Sequence, residues 1–310
     1  MTPSYRNTSV TLFFALLLLV CLAGQALVVH HLDAIRPAAT LEEVLYIPSA
    51  KVLQRLSLGY SGLLADIYWT RAVQYFGKKH RIDSTRYDLL YPLLDITTTL
   101  DPHLTPAYMF GATFMAQAPP HGAGDPDKAI ALLEKGIAAN PDDWRLYFQL
   151  AFVYYLEKKD YAAAGRALQH AAEMPNGNPS LRAIAGIMLQ FGGDLETSRQ
   201  LWTIVYESEK QAQLKKNAAA HLAAIQSDET VIALEKAVAR FRQDRGRGPL
   251  SWNELYAGGY IRGVPLDPLS NPYKLENGHV QVSFPERVPF ITKGLYEGQQ
   301  PSIGPQGPVQ

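Results

Sequence analysis

Apolar and small residues recur at spacings of three and four between residues 59 and 226, which places their side chains on one face of a helix. Within residues 129–139, Ala129, Leu133 and Gly136 follow this spacing. The small residues allow a second helix to approach closely, and Leu133 supplies apolar burial. Pro141 cannot continue the helix. The pattern predicts one helix of a tightly packed antiparallel pair.

The helical pair recurs along the chain, and prolines that end a helical segment stand at positions 102, 141 and 175. The second interval matches a repeat period of about 34 residues, whereas the first interval is longer by several residues. The excess falls in the sequence AQAPPHGAGDP, where proline and glycine predict a loop. Recurrence at a nearly fixed period predicts stacked helical repeats.

The segment from Trp144 to Pro175 resembles a tetratricopeptide repeat (TPR). Its two predicted helices carry the apolar and small positions of that repeat at Tyr147, Leu150, Ala151 and Tyr154, and then at Tyr161, Ala164, Leu168 and Ala171. A similar unit precedes this segment, and a weaker unit follows it. The resemblance implies a mainly α protein with a TPR-like α-α superhelix of about four repeats over residues 59–226. An irregular helical bundle is the alternative fold.

In the TPR family, the first helix of each pair lines the concave side of the superhelix. Alignment with that family implies a partner-binding groove lined by Tyr108, Met115, Arg145, Phe148, Phe152, Tyr155 and Gln190. Aromatic side chains there would hold an extended peptide or a partner helix, and Arg145 would bind a carboxylate. For Phe148 and Phe152, packing between repeats is an equal alternative.

Residues 10–29 contain no charged side chain, and their number is close to the roughly 20 apolar residues that a helix needs to cross a bilayer. Arg6 lies before this run, and Asp33 and Arg36 lie after it, which favours a cytoplasmic N-terminus. We therefore expect residues 1–36 to contain a membrane anchor. The expected location is the bacterial inner membrane, crossed once, with the bulk of the chain extracytoplasmic. A signal peptide cleaved near the sequence GQA is the alternative.

Residues 37–58 are predicted to be a linker, because Pro37 and Pro48 interrupt helical periodicity. The sequences LSLG, ADIYW and QYFG, which follow the second proline, resemble the start of a group of bacterial membrane-anchored TPR proteins. That resemblance implies an interaction protein of the cell envelope and no particular reaction.

The pattern changes in residues 227–284, which are predicted to form a small α/β module. A long helix is expected to end near Gly246, and Ser251 can cap a short helix. Asn277 and Gly278 lie between two alternating segments, which is a strong signal for a β-hairpin. The module resembles the C-terminal part of the major pseudopilins of type II secretion. Because their N-terminal half is absent, no filament subunit is predicted.

Two further features of the C-terminal part favour turns and disorder. Asp267 and Asn271 each precede a proline, so turn formation is favoured over a calcium loop, which would need several alternating oxygen ligands. Prolines, glycines and glutamines dominate residues 285–310, which predicts a disordered tail.

Composition restricts the possible functions. The 29 lysines and arginines balance the 29 aspartates and glutamates, so no global positive field favours a nucleic-acid partner. Cys21 is the only cysteine, which excludes a disulfide framework and a thiolate metal site. Neither a phosphate-binding glycine pattern nor a paired-histidine metal motif occurs. We therefore predict no cofactor, no metal site and no catalytic residue.

Together these features predict a membrane-anchored extracytoplasmic scaffold that is not an enzyme. It would bind a protein or peptide partner in the TPR-like groove and take part in the assembly of an envelope complex. One alternative is an accessory subunit of a secretion, pilus or respiratory membrane complex, which would need a second exposed apolar patch. An envelope hydrolase is the other alternative, and it would need a cluster of acids or histidines with shifted pKa values in one pocket.

Overall fold

The computed structural model describes residues 5–35 and 49–301. The protein is mainly helical, and the described residues include one hairpin of two short strands. The helices are α1 (Tyr5–Ile35), α2 (Ala50–Leu56), α3 (Ser61–Arg81), α4 (Leu90–Leu100), α5 (Thr105–Ala116), α6 (Pro126–Ala139), α7 (Trp144–Val153), α8 (Tyr161–Glu173), α9 (Leu181–Phe191), α10 (Leu195–Ser208), α11 (Ala212–Arg245) and α12 (Trp252–Ala257). The chain divides into two units, Met1–Pro48 and Ser49–Gln310.

In the first unit, α1 contains the apolar run that predicts a membrane anchor. Among the residues that the structure describes, however, no helix is both long and apolar enough to span a membrane. A helix that crosses a bilayer needs about 20 consecutive apolar residues. The predicted anchor at residues 10–29 and the predicted single-pass location in the inner membrane are therefore contradicted. Neither is retained.

In the second unit, every helix from α3 to α11 contacts its neighbours in sequence. The helix predicted over residues 129–139 is confirmed as part of α6, and its Ala129, Leu133 and Gly136 are buried. A Cβ atom added at Gly136 would lie 2.7 Å from Cγ of Tyr108, closer than real Cβ contacts. Glycine at this position therefore allows α5 and α6 to approach as the pattern predicts.

Helix ends in this unit agree with the proline positions. α4 ends at Leu100, α6 at Ala139 and α8 at Glu173, each shortly before one of the three prolines. The loop predicted in AQAPPHGAGDP joins α5 to α6. Four helices, α6, α7, α8 and α10, begin with an aspartate whose carboxylate accepts a backbone N–H of the first turn: Asp125, Asp143, Asp160 and Asp194. Each such cap stabilises its helix by about 1 kcal/mol.

The described part of the predicted linker contains a helix. Residues 37–48 lie outside the described residues, but Ala50–Leu56 form α2, and α2 contacts α4. The last part of the predicted linker therefore belongs to the helical unit. Apolar periodicity at Val52 and Leu56 is the sequence signal for this helix.

The predicted boundary between the repeats and the C-terminal module lies inside one continuous helix, α11. In its N-terminal half, Ala218 and Ile225 pack against Trp202 of α10. In its C-terminal half, Val238 and Phe241 pack against the C-terminal module. The two predicted regions therefore share a helix and have no linker between them.

The elements predicted in the C-terminal module are present. The Ser251 hydroxyl accepts the N–H of Glu254 and caps α12, which ends at Ala257, directly before Gly258. Strands β1 (Lys274–Glu276) and β2 (His279–Gln281) pair antiparallel. Between them, φ is +53° at Asn277 and +77° at Gly278, as a two-residue type I′ turn requires.

The predicted disorder of residues 285–310 is wrong for the described part of this segment. Val288 and Ile291 are buried in the core of the C-terminal module. The Val282 N–H donates to the Gly294 carbonyl oxygen at 2.8 Å. Val288 and Ile291 belong to the same buried cluster as residues of α11 and β2, so tertiary packing orders the segment. Residues 302–310 lie outside the described residues.

Candidate partner-binding surface

A stripe of large apolar side chains runs along α7 and the π-helical turn that extends it, Tyr154–Lys158. Trp144, Phe148, Phe152 and Leu156 stand four residues apart, and we call them the α7 stripe. The ring centroids of Trp144 and Phe148 are 6.0 Å apart, and those of Phe148 and Phe152 are 4.9 Å apart. These distances are typical of packed aromatic pairs. The three rings therefore form a packed row, and Leu156 follows four residues after Phe152.

Exposure increases along the α7 stripe. Trp144 and Phe148 are half-buried and pack against the core formed by α7, α8 and α9. Phe152 is 42% exposed and Leu156 is 45% exposed. Phe148 thus contributes to packing between helices, as one alternative stated, whereas Phe152 presents much of its ring to the outside.

A cavity of about 610 Å³ adjoins the N-terminal end of the stripe. It lies at the turn between α6 and α7, and its lining includes Asn140, Asp143, Trp144 and Arg145, with Asn176 from the turn after α8. Ligand sites occur preferentially in concave places such as this. The stripe therefore begins at a concave, polar-rimmed end and continues onto an exposed apolar face.

Arg145 lies in this cavity wall, but its guanidinium is already paired. Its Nε and Nη2 donate to Oδ1 and Oδ2 of Asp143 at 2.7 and 2.8 Å. Hydrogen bonds from Arg145 hold the pKa of the Asp143 carboxyl below its usual value. Because Asp143 occupies the two parallel donors, a partner carboxylate would have to displace it. The structure thus gives Arg145 a part in the helix cap, which sequence reasoning did not foresee.

Tyr155 lies beside the α7 stripe and is half-buried. Its ring centroid is 5.9 Å from that of Tyr161, which in turn is 6.0 Å from that of Phe191. Tyr155 also packs against the core of α8 and α9. The structure therefore brings Arg145, Phe148, Phe152 and Tyr155 together on α7 and its π-helical extension.

The other three predicted groove residues are buried. Tyr108 is enclosed between α5 and its neighbours, its hydroxyl donates to the Thr98 carbonyl oxygen at 3.3 Å, and burial raises its pKa to about 12. Met115 is buried on the same helix. Gln190 is buried on α9. None of the three side chains is accessible to a partner, because neighbouring elements cover the helix faces on which they lie.

Sequence reasoning missed the role that Gln190 has instead. Its Nε2 donates to Asp228 of α11 and to the Phe290 carbonyl oxygen, both at 2.9 Å. The Asp228 carboxylate also accepts the Thr292 N–H, the Thr292 hydroxyl and the Lys293 N–H at 2.8 to 2.9 Å. Burial raises the Asp228 pKa, while these donors act in the opposite direction. This buried cluster ties residues 290–293 to α9 and α11.

A stack of three rings lies in the same region. The His221 imidazole is parallel to Trp202 on one side and Phe290 on the other, with both centroid distances 4.0 Å. Burial lowers the pKa of His221 to about 3, so the ring is neutral at pH 7. Its Nδ1 is buried without a hydrogen-bond partner. The sequence offers no signal for this stack, because Trp202 and Phe290 are distant from His221 along the chain.

The possible calcium loop is a turn. The Asp267 carboxylate accepts the backbone N–H groups of Leu269 and Asn271 at 2.9 and 2.8 Å. Asp267 is itself buried. Across the part of the chain that the structure describes, no three histidine, cysteine, aspartate or glutamate side chains are placed to hold a metal ion.

Comparisons with known proteins give no indication of function. No family model matches the chain, and neither a curated protein nor a solved structure matches it. The features that bear on function are therefore the α7 stripe, the paired Arg145 beside it and the exposed residues elsewhere on the second unit.

Proposed function

We propose that the second unit is a recognition scaffold that binds an apolar-faced segment of a partner protein along the α7 stripe. The half-exposed Phe152 and Leu156, continuous with the packed rings of Trp144 and Phe148, are the observation that carries this proposal. Aromatic side chains at the edge of a packed core supply most of the binding energy in protein interfaces.

The proposed scaffold is a TPR-like superhelix. The pairs α3–α4, α5–α6, α7–α8 and α9–α10 would be its four repeats, and the N-terminal half of α11 would close the stack. Contacts between successive helices, the repeated aspartate caps and the close approaches at glycine support this arrangement. The first helix of each pair would then face the partner, as in the family that the sequence resembles.

The pairing of Arg145 with Asp143 favours a partner without a carboxylate at this position. Since the guanidinium is neutralised by a neighbour, the surface offers apolar contact with little net charge. An amphipathic helix with apolar residues three and four apart fits such a surface. An extended peptide with apolar anchors is the other segment that would fit it.

The test is co-purification of the full chain, tagged after Gln310, with its cellular partners after mild crosslinking. The variant Phe152→Ser is expected to recover a specific partner about tenfold less well, because truncation of an interface anchor costs 1 kcal/mol or more. Ile204→Ser on α10 is the matched control, since Ile204 is 44% exposed. Equal recovery with Phe152→Ser and wild type would contradict the proposal.

A second candidate, a subunit of a larger assembly, has one observation in its favour. A second set of exposed apolar side chains covers α2, the turn after it and the start of α3: Val52, Leu56, Leu58, Tyr60 and Leu63. An apolar surface at the first helices of a stack is unusual, because terminal repeats commonly have polar outer faces. A neighbouring subunit at this end would bury it.

A further inference from the structure

A cavity of about 920 Å³ lies between α11 and the hairpin, away from the α7 stripe. The side chains of Val231, Ile232, Val280 and Leu295 contribute its apolar lining, while Glu235 and Gln281 are among its polar residues. Its volume and its combination of apolar surface with a few polar groups are typical of ligand sites. None of these residues takes part in the proposed recognition along α7.

Two backbone N–H groups in β2 and directly after it are already satisfied. The Val280 N–H donates to Oε1 of Glu235 at 2.6 Å, and the Val282 N–H donates to the Gly294 carbonyl oxygen at 2.8 Å. Glu235 thus takes the place of a neighbouring strand at the edge of the hairpin. One acceptor remains, because the contacts of the Glu235 carboxylate are all made by Oε1, and its Oε2 accepts no hydrogen bond from the described residues.

Glu235 has no lysine or arginine partner among the described residues. Its only ion-pair contact there is His279 Nδ1 at 3.8 Å, and His279 carries a charge only when it is protonated. The Glu235 side chain is 37% exposed, so its carboxylate can be reached from the cavity. A carboxylate with an open oxygen at the wall of a partly apolar cavity fits a cationic ligand that donates hydrogen bonds.

We propose that this cavity binds a primary ammonium group carried on an unbranched apolar stem. The ammonium donates to the Glu235 carboxylate, and the methylene groups lie against Val231 and Val280. A lysine side chain presented by a partner protein has this chemistry, and so does a free alkylamine. Lys236 and Lys293 also line the cavity, so a carboxylate is the competing ligand that the test must exclude.

The test is a titration of the full ¹⁵N-labelled chain, followed by the amide resonances of Val280, Gln281 and Gly294. The probes are n-butylammonium, n-butanol and butyrate, which share the stem and differ in the head group. Only n-butylammonium is expected to shift the three resonances in a saturable way. A capped lysine that binds more tightly than n-butylammonium would identify a partner's lysine as the source, and the reverse order would identify a small amine.

Two variants separate charge from fold. Glu235→Gln keeps an oxygen that accepts the Val280 N–H but removes the charge, and it is expected to bind n-butylammonium about tenfold more weakly. Glu229→Gln on the same helix is the control, because the Glu229 side chain is similarly exposed. This substitution is expected to leave the binding of n-butylammonium unchanged. Equal binding of butanol or butyrate, or unchanged affinity in Glu235→Gln, would overturn the proposal.

Discussion

At the scale of single residues, the least predictable feature is the burial of polar side chains between α9, α10, α11 and the segment after β2. Gln190 was predicted to line the partner-binding groove, and no signal in the sequence indicated the burial of His221. Both are buried because the segment that contains Phe290 covers them. The covering segment is rich in proline and glycine, so its order depends on a few contacts that periodicity does not reveal.

The pH dependence of stability tests the burial of His221. Its pKa is lowered from 6.5 in the unfolded chain to about 3 in the folded protein, because burial disfavours the charged ring. The unfolded chain therefore binds more protons between these values, so stability is fully present above pH 6.5 and is lost as the pH falls towards 3. The loss attributable to this group amounts to at most about 5 kcal/mol.

The measurement is urea unfolding from pH 7 downwards for wild type and His221→Phe. Phenylalanine keeps a ring between Trp202 and Phe290 but cannot titrate. As the pH falls below 6.5, the free energy of unfolding should decrease more for wild type than for His221→Phe. Parallel pH profiles would show that His221 is not protected from protonation as the structure indicates.

At the scale of elements, the agreement between sequence and structure is closest where local rules decide. Helix ends before Pro102 and Pro141 and the turn at Asn277 and Gly278 follow from backbone restrictions that act within a few residues. The predicted boundary at residue 226 falls within α11, because one continuous helix packs against α10 in its first half and against the C-terminal module in its second half. Which face of a helix a distant segment covers is a tertiary property.

Two glycine-to-alanine substitutions, one in α9 and one in α3 as its control, test the packing of α9 against α10. A Cβ atom added at Gly186 would lie 2.7 Å from Nε1 of the buried Trp202, so Gly186→Ala is expected to lower the free energy of unfolding by about 1 to 3 kcal/mol. Gly77 in α3 has nothing within 4 Å of an added Cβ. Gly77→Ala is therefore expected to raise the free energy of unfolding by about 0.5 to 1 kcal/mol, because alanine has the higher helix propensity. Urea unfolding measures both free energies. A stabilising effect of Gly186→Ala, with the same sign as that of Gly77→Ala, would contradict the close approach of Gly186 to Trp202.

At the scale of the whole molecule, the second unit combines a helical stack with a C-terminal module that shares its last helix. Four predicted groove residues lie together on α7 and its extension, because repeat alignment identifies the helix even when it does not identify accessibility. Tyr108, Met115 and Gln190 could not be separated from them by sequence, since their burial depends on neighbouring helices. The site on α11 and the hairpin had no sequence signal, because its two sides are far apart along the chain.

The most direct test of recognition along α7 is site-specific photocrosslinking in cells. Phe152, Leu63 and Ile204 are replaced one at a time by p-benzoylphenylalanine, which reports the α7 stripe, the patch on α2 and α3, and a control surface of similar exposure. The account predicts a discrete adduct from position 152 and none from position 204. An adduct from position 63 alone would favour the assembly subunit, and equal labelling at 152 and 204 would contradict specific recognition by the α7 stripe.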